Sequence, residues 1–184
     1  MKKFKYIFLL IILAITAVSC HRDEFFSDDI PQEEITNIIL KVKDISTQIT
    51  STYNFNMGQG NLPEIKIQDG HVYDVELVFM NGNEDETEAI KLAKDEHFVL
   101  FDFPASQIQL ERTDDASSTR DKDGMKLGLL TRWNVIKTIN GTSPVLKISL
   151  IHDAKSVSEQ QNGTEWGSTK GGETDAEAIF SLKN

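Results

Sequence analysis

Two histidines, His97 and His152, stand beside carboxylates: Asp95 and Glu96 precede the first and Asp153 follows the second. Neutral imidazole is a common ligand for zinc and copper, and an adjacent carboxylate can ligate the metal or orient the ring. Structural or incidental histidines carry the same neighbours, so this pattern leaves both readings open. His21 lies in a polar stretch and His71 follows a turn, and both are expected to be solvated. Asp121-Lys122-Asp123-Gly124, with Asp114 and Asp115 nearby, has the opening spacing of a calcium loop, carboxylates one residue apart and then a glycine. No bidentate glutamate follows at the EF-hand distance, so an aspartate-stabilised turn competes with a cation loop at Asp121 and Asp123.

Other chemistries find little support. A serine hydrolase needs its nucleophile on a tight elbow, and no G-x-S-x-G occurs; Gly167-Ser168 lies in a polar stretch. The glycine runs beside Lys122 and Lys170 neither follow an apolar strand nor open a helix, so no phosphate cradle is indicated. Paired carboxylates for glycoside hydrolysis are not informative among 29 acids. Trp133 lies within strand-like sequence and reads as core rather than as a stacking platform. These observations imply a non-enzymatic protein.

Cys20, the only cysteine, ends a leader: Lys2, Lys3 and Lys5, an apolar run from Tyr6 to Val18 interrupted by Thr16, then Ser19. This is the layout of a secretory signal, and its apolar run is shorter than the roughly 20 residues of a membrane span. A partnerless cysteine at the end of such a leader implies a lipoprotein signal peptide over 1–19 and thioether lipidation with acyl chains such as palmitate at Cys20, making the protein membrane-anchored. His21-Arg22-Asp23-Glu24 resembles the short charged signal that sends lipoproteins of bacteroidete-type bacteria to the outer cell surface. Cleavage removes three of the 19 basic residues and none of the 29 acidic ones, leaving 16 against 29 and a formal charge of −13. Nucleic acid is therefore excluded as a partner.

The elements that must position these groups read as β-strands. Residues 20–34 form a polar, lipidated tether, and 35–184 suit one domain with one core. Strands are expected over 36–43, 48–55, 64–68, 71–80, 97–103, 107–112, 125–139, 144–152 and 174–182, from period-two alternation between turn signals. One short helix is expected over 84–96, where Ala89, Ile90, Leu92 and Ala93 lie among acids at a helical period. The stretches 113–124 and 153–172, lacking an apolar pattern, are expected as polar loops. The fold class is all-β, a single antiparallel sandwich of immunoglobulin-like type.

Several short motifs recur in a pattern. Val75-Glu76-Leu77 into Asn81-Gly82-Asn83, Asp95-Glu96-His97, Asp121-Lys122-Asp123-Gly124 before Leu127-Gly128-Leu129, Leu150-Ile151-His152 with Lys155, and Gly171-Gly172-Glu173-Thr174-Asp175 leading to Phe180 together resemble a group of flavobacterial lipoproteins. The likeness spans nearly the whole domain, and the Gly-Gly-Glu-Thr-Asp end motif is its most specific part. Members are often labelled as a type 1 periplasmic binding fold, which needs two α/β lobes; the single helix and strand-rich pattern here imply a sandwich instead. Members commonly accompany TonB-dependent receptors, so the resemblance implies an outer-membrane accessory of nutrient or metal uptake, facing either the cell surface or the periplasm. It also draws attention to His97, Asp121, Asp123, His152, Glu173 and Asp175. The expected site has His97 and His152 as metal ligands assisted by Glu173 or Asp175, with zinc or copper favoured over calcium. The alternative is a protein- or carbohydrate-binding surface module in which these residues are structural.

Overall fold

The computed structural model describes residues 35–60 and 62–184. The leader, Cys20, His21 and the tether lie outside the described residues. Two six-stranded sheets pack face to face as an all-β sandwich. The first has the order β2 (Thr50–Asn56), β1 (Asn37–Asp44), β4 (Val72–Asn81), β8 (Leu130–Lys137), β7 (Gln107–Arg112), with the two-residue β5 (Glu84–Asp85) on β4. The second runs β10 (Ser156–Asn162), β11 (Glu165–Lys170), β6 (His97–Asp102), β9 (Val145–His152), β12 (Glu173–Lys183), β3 (Glu64–Lys66). All pairings are antiparallel except β12 with β3.

Alternation decides which face of each strand is buried. Ile38, Leu40 and Val42 of β1 and Tyr73, Val75, Leu77 and Phe79 of β4 face Val99 and Phe101 of β6, Leu146, Ile148 and Leu150 of β9, and Ala176, Ala178 and Phe180 of β12. Ile39, the residue that breaks the alternation of β1, turns to the outer face. Trp133 is fully buried, donates its indole N–H to Thr131 Oγ1 at 2.9 Å, and meets Phe103 edge-on at 5.4 Å. At about 1.5–3 kcal/mol for each large apolar side chain removed from water, this layer is the main stabilising element.

The helix is shorter than its acidic pattern suggests. It spans only Thr87–Leu92 (α1), because Glu84–Asp85 instead pair with Met80–Asn81 and because Leu92 is 83% exposed, leaving Ile90 and Thr87 as its buried residues. The 153–172 stretch is not a loop. It forms the β10–β11 hairpin, turning at Gly163-Thr164 and bearing polar side chains on a largely exposed surface.

The 113–124 segment also departs from expectation, since Asp114, Ser118 and Arg120 are buried. Polar groups tolerate burial when each is bonded. Asp114 accepts from the backbone N–H groups of Gly128, Leu129 and Leu130; burial still raises its pKa, the three N–H bonds opposing. Arg120 donates to His97 O at 2.8 Å and to Asp123, which ties this segment to the start of β6. Residues 125–129, expected as strand, cross between the sheets: Leu127 N bonds Ser118 O, Leu127 O accepts from Val99 N, and Leu129 O accepts from Leu77 N.

Gly128 (φ +96°) is required at this crossing, because a Cβ there would collide with the Arg112 guanidinium. Arg112, 4% exposed, donates to Leu127 O and Val99 O at 2.7 Å each and lies 4.3 Å from the centre of the Phe98 ring. Carbonyl dipoles and the ring face offset the cost of burying its charge. Burial lowers its pKa to about 10, which leaves it cationic at neutral pH.

Candidate functional site

His97 opens β6 and His152 closes β9, and the two are direct cross-strand partners in the β6–β9 ladder. Directly opposed residues hold their Cβ atoms close on one face, so the rings meet. Their centroids are 5.0 Å apart and their planes 20° from parallel. Both continue the inward alternation of Val99 and Phe101 and of Ile148 and Leu150, which places the pair at the end of the sandwich interior.

The third member comes from β12. Thr174 pairs with Ile151 and Ala176 with Leu150, so Asp175 is the extra residue of a β-bulge. A bulge redirects one side chain, and here Asp175 and Ala176 are both buried in succession. Gly172 (φ +86°) makes the approach possible: a Cβ there would lie 2.6 Å from His152 O and 2.9 Å from an Ile151 methyl. This gives the Gly-Gly-Glu-Thr-Asp motif a physical meaning, a close crossing that sets Asp175 beside the two imidazoles.

Donor and acceptor roles follow from the partners. His97 Nδ1 lies 3.0 Å from Ala93 O, and a carbonyl can only accept, so Nδ1 carries a proton and neutral His97 presents a lone pair at Nε2. That lone pair faces Asp175 Oδ2 at 3.6 Å, with the side chains 1% and 7% exposed. Neither His97 Nε2 nor Asp175 Oδ2 has a hydrogen-bond partner. On the other ring, His152 Nε2 faces Glu96 Oε2 at 3.4 Å and Nδ1 faces Asp175 Oδ1 at 4.0 Å. With Nε2–H directed to Glu96, a second lone pair meets the same carboxylate. The Asp175 carboxylate thus faces a ring nitrogen of each histidine, and either a proton on an imidazole or a bound cation would offset its buried charge.

The expected residues divide accordingly. His97, His152 and Asp175 come together. Glu173 is the cross-strand partner of His152 on β12, and its side chain is exposed. Glu96 takes the orienting role toward His152 that the adjacent Asp153 might have been given by sequence order, and only the cross-strand register reveals it. Among the described residues, no group of three or more His, Cys, Asp or Glu side chains has the geometry to hold a metal ion as it stands. Asp121 and Asp123 are turned toward different protein cations: Asp121 pairs with Lys94 at 2.8 Å and Asp123 takes Arg120 Nε on both oxygens at 3.1 Å.

His71, expected to be solvated, is half-buried and paired with Asp44 at 2.8 Å beside a cavity of about 500 Å³. The hydroxyl of Ser46 and then His71 hold the Asp44 carboxyl well below the usual carboxylate range. Comparison with known families, with curated proteins and with solved structures finds no match.

Proposed function

We propose that the chain is a lipid-anchored, exported, non-enzymatic lipoprotein whose sandwich captures one divalent transition-metal ion, zinc or copper, as an accessory to an outer-membrane uptake receptor. The metal is held by His97 Nε2, His152 Nδ1 and Asp175. The observation that carries this reading is the buried meeting of His97 Nε2 and Asp175 Oδ2 at 3.6 Å, neither atom having a hydrogen-bond partner among the described residues. Ligand bonds of about 2.0–2.2 Å at tetrahedral angles place neighbouring donor atoms about 3.3–3.6 Å apart. The 3.6 Å separation meets that range, and the 4.0 Å one closes to it with a small ring movement. Borderline nitrogen donors favour zinc and copper over calcium, which prefers six or more oxygens.

Glu96 completes the pattern as the carboxylate that fixes the outer nitrogen of a ligating histidine. The role in uptake rests on the likeness to flavobacterial lipoproteins that accompany TonB-dependent receptors, and the anchor on Cys20 at the end of the leader.

Calorimetric titration of the purified chain with zinc, copper and calcium tests the site. Micromolar or tighter zinc or copper binding, lost in the His97→Ala, His152→Ala double variant, is expected. Absence of binding to the parent chain removes the metal reading. Incorporation of labelled palmitate, abolished by Cys20→Ser, tests the anchor.

A further inference from the structure

A second feature lies where the outer strands of the two sheets meet, at the edge formed by β7 and by the β10–β11 hairpin. A groove of about 370 Å³ opens there, framed by the turn after β6, the 138–141 turn and the 162–164 turn. Its frame is built rather than incidental. Phe103 N donates to Thr164 O at 3.0 Å, Asn140 N to Ala105 O at 2.8 Å, and the Trp166 indole N–H to Ile108 O at 3.2 Å. The last bond spans from β11 to β7 and fixes the orientation of the indole that lines the groove.

The lining is chemically unusual for this chain. Asp, Glu, Lys and Arg make up 26% of all residues, yet none is among the twelve that line the groove, where about three would be expected from composition. Primary amides take their place. Gln107 and Gln109 project from alternate positions of β7, Asn140 comes from the turn after β8, and Gln161 from β10. Gln109 accepts from Asn134 and Gln161 donates to Gly163 O, while the side chains of Gln107 and Asn140 have no hydrogen-bond partner among the described residues. Trp166 and the half-exposed Ile136 supply apolar surface.

Each ligand class makes its own demand on such a lining. An anion would find no cation here and would approach a chain of net charge −10. A cation would find no carboxylate. A purely apolar ligand would strip water from four amides without replacing their hydrogen bonds. A neutral polyhydroxylated ligand satisfies all three constraints: an amide both donates and accepts, matching hydroxyl pairs, while the C–H face of a sugar ring covers the indole. We infer that this groove binds an uncharged carbohydrate of one or two sugar units. The site is separate from the imidazole–carboxylate cluster and independent of it.

The test is titration of the full chain, purified in a detergent without a sugar head group, with cellobiose, maltose, mannobiose, xylobiose and diacetylchitobiose. Tryptophan fluorescence and calorimetry report binding. Digalacturonate and an uncharged serine- and glycine-rich pentapeptide are titrated in parallel. Expected is saturable binding of at least one neutral disaccharide below about 10 mM, weakened about tenfold or more by Gln107→Ala with Asn140→Ala. Those two exposed amides have no partner among the described residues, so the variant keeps its fold, which circular dichroism verifies. The His97→Ala, His152→Ala variant, which removes the metal ligands, retains the sugar affinity. No binding of any of the neutral disaccharides at that concentration overturns the inference. So does binding that the amide variant leaves unchanged, or equal or stronger binding of digalacturonate or the pentapeptide.

Discussion

The molecule contains histidine–aspartate contacts in two places, and they differ in how the backbone delivers them. Asp44 ends β1 and opens a turn, where its carboxylate gathers Ser46 N and Oγ, Thr47 N and the ring of His71 at 2.8 Å. A turn can adjust until each lone pair has a donor, and this pair is complete as it stands. Asp175 sits instead in a bulge, with His97 and His152 fixed by a cross-strand register, and the resulting separations of 3.6 and 4.0 Å leave two buried atoms without partners. The same residue types give a closed pair on an adaptable turn and an open cluster on a rigid ladder.

The largest effect expected on that contrast is in metal affinity. His97→Ala or Asp175→Ala should weaken zinc binding by about 100-fold or more, while His71→Ala changes it by less than about twofold. Competition against a chromogenic chelator measures both. Equal losses at the two places would show that zinc does not distinguish them. Next comes Glu96→Gln, which keeps the shape and removes the charge that orients His152. About a 10-fold loss, and no more than about 100-fold, is expected for such an outer partner; an unchanged affinity would leave Glu96 with no part in the site.

Stability of the metal-free protein sharpens the comparison in the opposite direction. Asp175→Asn places an amide N–H opposite the His97 Nε2 lone pair, relieving two acceptors that face each other. The variant should be more stable by about 1–2 kcal/mol in urea unfolding with chelator present. A destabilised variant would contradict the assignment of a lone pair to Nε2. Asp44→Asn, by contrast, should lower the melting temperature.

The smallest effect concerns pH at the closed pair. The Asp44 carboxyl is held below its ordinary value by Ser46 and His71, so the unfolded state binds its proton first as pH falls. The stabilisation is therefore fully present above the unfolded pKa of about 4 and is lost as pH drops below it toward the folded value. The melting-temperature gap between the parent and Asp44→Asn should be present at about pH 5 and narrow by about pH 3. A gap independent of pH would remove the charged carboxylate as its cause.

Much of this architecture is legible wherever one face of a strand is dry. Residues 107–112 alternate without interruption, and β7 occupies those positions, while β1, β4, β9 and β12 fall within one residue of the alternating segments at each end. The β10–β11 hairpin was obscured because it lies at a sheet edge and buries little, so glutamine, serine and threonine replace the apolar signal. Gly163, in its two-residue turn with Thr164, was the local clue. Arg112 and Arg120 were invisible as interior residues, since the carbonyls that receive them are backbone atoms of distant segments. At the site, the two histidines and Asp175 were identifiable by type and motif. The bulge that turns Asp175 inward depends on a register that no local pattern encodes, and the role of Glu96 depends on β6 lying beside β9.

The pairing of the last strand carries a consequence for the order of events in time. β12 lies between β9 and β3, and its final residues, Ser181 to Lys183, hold β3 in the sheet. The second sheet thus lacks an interior strand, and β3 its ladder partner, until a segment more than 100 residues further along the chain joins them. Contacts between segments so far apart in sequence form slowly. A strand third in chain order is therefore held only by the twelfth, and stays out of the sheet until that contact is made.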